Sequence, residues 1–161
     1  MRVLTTAPLL GALAAALAAC GGSDGGAGGG MSDAARSEAA LIFMNDVMQT
    51  RAELIWNSAG YIIDANGERD LSPTTDEGWE EVRLGALAVM EAGETLKTAD
   101  FARDQESWVA FSQGIVDAGG LAVAAAEAQD PDQVFEVGAQ LYRVCVACHQ
   151  FYRVGEYAEP E

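Results

Sequence analysis

The sequence predicts an all-α fold, an antiparallel up-down bundle of four helices. Three observations carry this. Apolar and small residues recur at spacings of three and four in four separate stretches, the period of a helix face. Sustained apolar–polar alternation is missing and β-branched runs are few, so strand signals are poor. After residue 30 the only prolines are Pro73, Pro131 and Pro160, so little interrupts a helix.

The first stretch runs Leu41, Met44, Met48, Ala52, Ile55, Ala59, Ile62. Ser32 or Asp33 can cap its start, and the turn pair Asn66-Gly67 ends it. The second runs Trp79, Val82, Ala86, Val89, Gly93, Leu96, with Thr74 and Glu77 spaced as a capping box. The third starts near Asp104 and runs Trp108, Phe111, Ile115, Ala118, Ala122, Ala125. The fourth opens on Asp130 as cap, Pro131 at the first helical position and Gln133 three after the cap. Its stripe is Val134, Val137, Leu141, Cys145, Cys148. Short connections make consecutive helices antiparallel neighbours. Gly93, Ala118 and Ala122 on the stripes either let helices approach closely or leave room for a ligand. Trp56, Trp79 and Trp108 are expected as core anchors, one of them beside the site described below.

The N-terminus has a different composition. Residues 1–19 carry one charge, Arg2, followed by an Ala/Leu-rich run too short for a comfortable membrane span. The run ends in Leu17-Ala18-Ala19-Cys20, which resembles a bacterial lipobox. The resemblance implies cleavage before Cys20 and a lipid on its sulfur. Gly21 rather than an acid follows, which favours the outer membrane over the inner. Residues 20–32 then form the lipidated cysteine and a Gly-rich tether. The folded domain is expected over 33–154, with a short acidic tail over 155–161.

The chain has 161 residues, about one domain, and half of them are apolar, enough for a core. Its 25 acids against 9 bases give −16, or −17 once Arg2 is removed with the signal. Lys97 is the only lysine and no basic run exists, so nucleic acid is not an expected partner. Paired carboxylates, a Ser-His-Asp set and a phosphate loop are all missing from the pattern, which points away from an enzyme.

The chemistry-bearing motif is Cys145-Val146-Ala147-Cys148-His149. This CxxCH spacing is that of c-type haem attachment. Two thiols three apart on a helical turn can each add to a vinyl group of one porphyrin. The adjacent imidazole then gives the iron an axial ligand. Cys145 and His149 are i and i+4, on one helix face. A disulfide-exchange CxxC ordinarily opens a helix after a strand, whereas this one closes a helix. A zinc site would lack a fourth ligand, since Cys20 is far away and His149 is the only histidine.

A CxxCH at the end of the last helix, continued by Gln150-Phe151-Tyr152-Arg153, resembles the cytochrome c′ family, the class II c-type cytochromes. The aromatic three after the histidine and the arginine after it match the family habit. The likeness covers about residues 33–154, and only this motif is specific. The lipobox and glycine tether are not general to the family. The resemblance implies one covalent haem c, held by Cys145 and Cys148, with His149 as proximal iron ligand. It also implies that the first helix faces the sixth position. Low-spin members place a methionine there and high-spin members an apolar residue. Met44 is nearer the correct end and is the expected distal ligand, with Met48 second; Lys97 or an open site are the other choices. Met90 lies on another helix and Met31 in the tether.

Histidine and thioether together suit electron transfer, because a soft sulfur stabilises Fe(II). The expectation is a membrane-tethered periplasmic monohaem cytochrome carrying single electrons. Two alternatives stand beside it: a five-coordinate protein binding NO or CO, and a haem-free helical lipoprotein with an interaction role. Arg153 is the expected partner of a haem propionate; Arg143 and Arg51 are expected to be solvated. Glu80, Glu81, Asp100, Asp104 and Glu106 are expected on a solvated face whose charge steers a redox partner with a basic docking surface. The resemblance also allows a homodimer through the outer face of the first helix.

Overall fold

The computed structural model describes residues 31–152. The expected signal and most of the expected tether, with Cys20, and the expected propionate partner Arg153 with the tail after it lie outside the described residues. Within them the chain is mostly helical, 72 % by residue, which makes the fold all-α. In order it runs α1 (Asp33–Phe43), a π-helical segment (Met44–Met48), α2 (Gln49–Trp56), β1 (Tyr61–Asp64), β2 (Gly67–Asp70), α3 (Asp76–Leu96), α4 (Ser107–Glu127) and α5 (Pro131–Tyr152).

Ser32 caps α1, its hydroxyl accepting from the Ala35 N–H at 3.2 Å. The first helix then departs from expectation twice. Its α register breaks at Met44–Met48, where the Gln49 N–H reaches five residues back to the Met44 carbonyl. The inserted residue shifts the phase of everything before it. Ala40 and Phe43 therefore meet the core, while Leu41, expected on the stripe, is 62 % exposed. The helix also ends at Trp56 rather than at Asn66. Gly60, at φ +86°, turns the chain into an antiparallel hairpin with Tyr61 opposite Asp70 and Asp64 opposite Gly67. Ile62 therefore belongs to an exposed strand and not to the helical stripe. The sequence carries a strand signal here: a Tyr-Ile-Ile run, then the two-residue turn Ala65-Asn66, with Gly67 opening the return strand. Gly67 sits at φ +118°, and the Asp64 carboxylate accepts from the Asn66 N–H at 2.7 Å.

The cap of α3 is Thr75, one residue beyond the expected Thr74; its hydroxyl accepts from the Gly78 N–H at 3.2 Å. The helix α4 begins at Ser107, and Asp104 serves its start by accepting from the Trp108 N–H at 3.0 Å. Asp130 caps α5, accepting from the Gln133 N–H at 3.0 Å, with Pro131 at the first helical position.

The four consecutive helical units share one core. The helix α4 packs on both α3 and α5, and α2 packs on α3 and α5. Val82, Ala86, Val89, Ile115, Ala118, Ala122, Val134 and Leu141 are all buried in that core. Small residues set how close α3 and α4 come. A Cβ on Gly93 would lie 2.8 Å from Val116 Cγ2 and 3.1 Å from the Ser112 carbonyl oxygen. Gly93 thus serves helix approach rather than ligand space. By length and composition α4 is apolar enough to cross a membrane, but its Ala118, Gly119, Ala122, Ala125 and Ala126 are buried, and the helix packs on both α3 and α5. Trp79 and Trp108 are buried as expected, while Trp56 is half-buried and donates its Nε1–H to the Gly138 carbonyl at 3.0 Å.

Candidate functional site

The last two turns of α5 carry the CxxCH motif, and all three of its reactive side chains are partly buried. Cys145, Cys148 and His149 line one cleft together with Met44 and Met48, which the π-helical segment presents from the facing side. Leu96, Trp108, Ser112 and Ile115, from α3 and α4, complete the wall. The structure thus brings together five of the residues singled out from sequence, across about a hundred positions of chain.

The surroundings tune the three groups in one direction. Burial pushes the Cys145 thiol up to about 11 from its ordinary 9.0. Burial also pushes Cys148 up to about 11, with the neighbouring Cys145 adding to the rise and the Arg103 charge opposing it. Burial lowers His149, so its imidazole is neutral at physiological pH, with a nitrogen lone pair free to coordinate a metal. Cys145 and Cys148 carry free thiols. Among the described residues no group of three or more His, Cys, Asp or Glu converges as a metal cage.

The wall is well satisfied. Trp108 donates its Nε1–H to the Leu96 carbonyl at 2.6 Å, and the buried Ser112 hydroxyl donates to the Trp108 carbonyl at 2.8 Å. Tyr152, one turn after Cys148, packs edge-on against Trp108 with centroids 5.0 Å apart and donates its hydroxyl to Asp104. That bond, and then the backbone N–H of Trp108, hold the Asp104 carboxyl below its ordinary value. Asp104 is therefore not one of the solvated acids; Glu80, Glu81, Asp100 and Glu106 are exposed as expected. Arg103 lies over the Trp108 and Tyr152 rings at 5.5 and 5.8 Å and donates to the Ser37 hydroxyl at 3.2 Å. Arg103 is the cation the sequence reading missed. Only its position next to Asp104 could have suggested it, and the partner ring of Tyr152 is 49 residues away.

Lys97 is held by Glu94 and by Gln113, each at 2.7 Å. Arg51 donates to the Ala88 carbonyl at 3.3 Å, and Arg143 is exposed. Met90 is half-buried against Gly119 on α4, away from the cleft.

The donor set suits a covalently attached haem: two thiols, a neutral imidazole and two thioethers around apolar walls. The void itself is about 20 Å³, room for one water, whereas small-molecule sites run to roughly 300–1,000 Å³. A tetrapyrrole fits these residues only if one wall moves. The wall facing α5 is the π-helical segment, through Met44 and Met48. In α1 only Ala40 is buried, and the helix meets the connection between α3 and α4 through Phe43 against Phe101, ring centroids 4.9 Å apart, and through the Arg36–Ala99 and Arg103–Ser37 hydrogen bonds. A second, larger cleft of about 290 Å³ lies between α2 and α5, lined by Trp56, Phe135, Gly138 and Tyr142, and holds none of the residues singled out from sequence. Comparison with protein-family models, with curated proteins and with solved structures finds no match to this chain.

Proposed function

We propose that the protein is a membrane-tethered, periplasmic, monohaem c-type cytochrome that carries single electrons. The observation that supports it best is the meeting of Cys145, Cys148 and His149 with Met44 and Met48 in one apolar cleft. In this reading Cys145 and Cys148 would hold haem c as thioethers, His149 would be the proximal ligand and Met44 the distal one, with Met48 second. The helices form an antiparallel up-down bundle closed by α5. A haem so bound supplies a one-electron Fe(III)/Fe(II) couple.

The chain's own residues do the rest. Burial keeps the His149 nitrogen unprotonated and available. A thioether from Met44 or Met48 on the same metal would stabilise its reduced form and raise the potential. Leu96, Trp108 and Ile115 keep water from the ligands, which limits solvent reorganisation. Exposed acids such as Glu81, Asp100 and Glu106 attract a partner with a basic docking surface, an attraction that salt screens. The lipid on Cys20 holds the domain at the outer membrane.

The test is the visible spectrum of the mature protein, co-expressed with haem-attachment machinery, recorded oxidised, reduced and reduced under CO. A sharp low-spin reduced spectrum unmoved by CO is expected. A high-spin spectrum converted by CO would replace electron transfer with gas binding. A chain of unmodified mass with no Soret band would remove the cytochrome reading altogether.

A further inference from the structure

Met44 and Met48 are the first and last residues of the π-helical segment, and both line the cleft that holds Cys145, Cys148 and His149. An iron ligated by His149 has one place left for a thioether, yet the fold presents two. The two are held differently. Met48 is 5 % exposed and continues into the buried Ala52 and Ile55 of α2. Met44 is half-buried and continues into α1, which is held by the buried Ala40, by Phe43 against the Phe101 ring at 4.9 Å, and by the Arg36–Ala99 and Arg103–Ser37 hydrogen bonds.

The backbone between them has a second register within reach. Re-pairing the Gln49 N–H from Met44 to the Asn45 carbonyl would restore the α-helix. That change turns α1 by one residue, about 100°, and slides Met44 by roughly a quarter turn relative to Met48. It would also carry Leu41, now 62 % exposed, onto the core face where the helical stripe expects it. The present register buries Ala40 and packs Phe43 against the core; the other would bring Leu41 there. π-Helical insertions inside α-helices are frequent at functional sites.

We propose that Met44 and Met48 are alternative sixth ligands of one iron, exchanged by a one-residue register change of the Met44–Met48 segment. This rests on the haem reading of CxxCH given above. The test uses the mature haem-loaded protein, with Met44→Leu, Met48→Leu, both together, and a deletion of the exposed Asn45, which removes the inserted residue. Leucine keeps the volume and removes the sulfur. The readouts are the thioether-to-iron charge-transfer band, the bound-methionine methyl resonances and the CO-reactive fraction. In the parent, two methyl environments in exchange are expected. Each single variant should keep the band, with CO-reactive iron below about one tenth, the scale of a minor state. The double variant should lose the band and bind CO almost completely. The deletion should leave one methyl environment. A single variant that opens the iron by itself would overturn the proposal, as would two environments surviving the deletion or a parent lacking the band. A parent with no covalent haem would overturn the cytochrome reading as well, and the intact mass tells the two failures apart.

Discussion

Gly119 and Gly120 are sequence neighbours on α4, and alanine should have opposite effects at the two. A Cβ on Gly119 would lie 2.6 Å from Met90 Cγ, 3.1 Å from the Met90 nitrogen and 3.2 Å from the Ala86 carbonyl oxygen. The Met90 side chain can swing away. The other two atoms are α3 backbone and can yield only if the helices separate. Such overpacking costs about 1–3 kcal/mol. Alanine regains about 1 kcal/mol of helix propensity over glycine. Gly119→Ala should therefore be destabilised by about 1 kcal/mol. At Gly120 the nearest atom to a new Cβ is Met90 Cε at 4.0 Å, an ordinary contact. Gly120→Ala keeps the propensity gain and should be stabilised by about 1 kcal/mol. Urea unfolding followed by far-ultraviolet circular dichroism should thus separate the two midpoints by about 1 M, taking a typical slope for a small domain. Equal stabilisation of both variants would refute the α3–α4 approach described here.

Other expected outcomes follow from the cleft. In the haem-free protein Cys145 and Cys148 should alkylate about 100-fold more slowly at neutral pH than ordinary thiols, since burial lifts both from 9.0 to about 11. Denaturant should abolish the protection, and timed mass spectrometry reads it. Trp108→Phe removes the donor to the buried-end carbonyl of Leu96 and should cost about 1–3 kcal/mol in thermal or urea unfolding. Tyr152→Phe frees the Asp104 carboxylate. A carboxyl held low in the fold contributes stability above its unfolded value, near 3.8, that is lost as pH falls through the lower folded value. The variant's acid-unfolding curve should therefore be flatter than the parent's below pH 4, and identical curves would count against the Tyr152–Asp104 bond.

Much of this was legible in the sequence, for identifiable reasons. Helical periodicity over α3, α4 and α5 is long and regular, and each is fixed by its neighbours, so stripe and core coincide. Asp130-Pro131 marks a start that backbone chemistry alone determines. The CxxCH spacing is a local signal, and placing Met44 and Met48 opposite it required only that the first and last helices meet. What escaped was phase and competition. A helical stripe read through Leu41 and Ile62 assumes constant pitch, and the π-helical insertion and Gly60 each break it. Ile62 alone fits the helical stripe, while Tyr61-Ile62-Ile63 fits a strand, and the glycines at Gly60 and Gly67, both at positive φ, decide for the hairpin. Arg103 was invisible because its role depends on rings contributed by α4 and α5, not on its neighbours in the chain.

Trp108 stands in the wall of the cleft, Trp79 lies in the core and Trp56 sits beside the separate cleft between α2 and α5. The protein thus contains its own optical gauge. Emission from an indole at the cleft responds to whatever enters or opens that space, and a strongly absorbing group seated against it would quench it first. Trp56, beside the other opening, serves as the internal reference. Single-tryptophan variants would turn the two clefts into separate channels, one reporting on the CxxCH end of the molecule and one on the hairpin end.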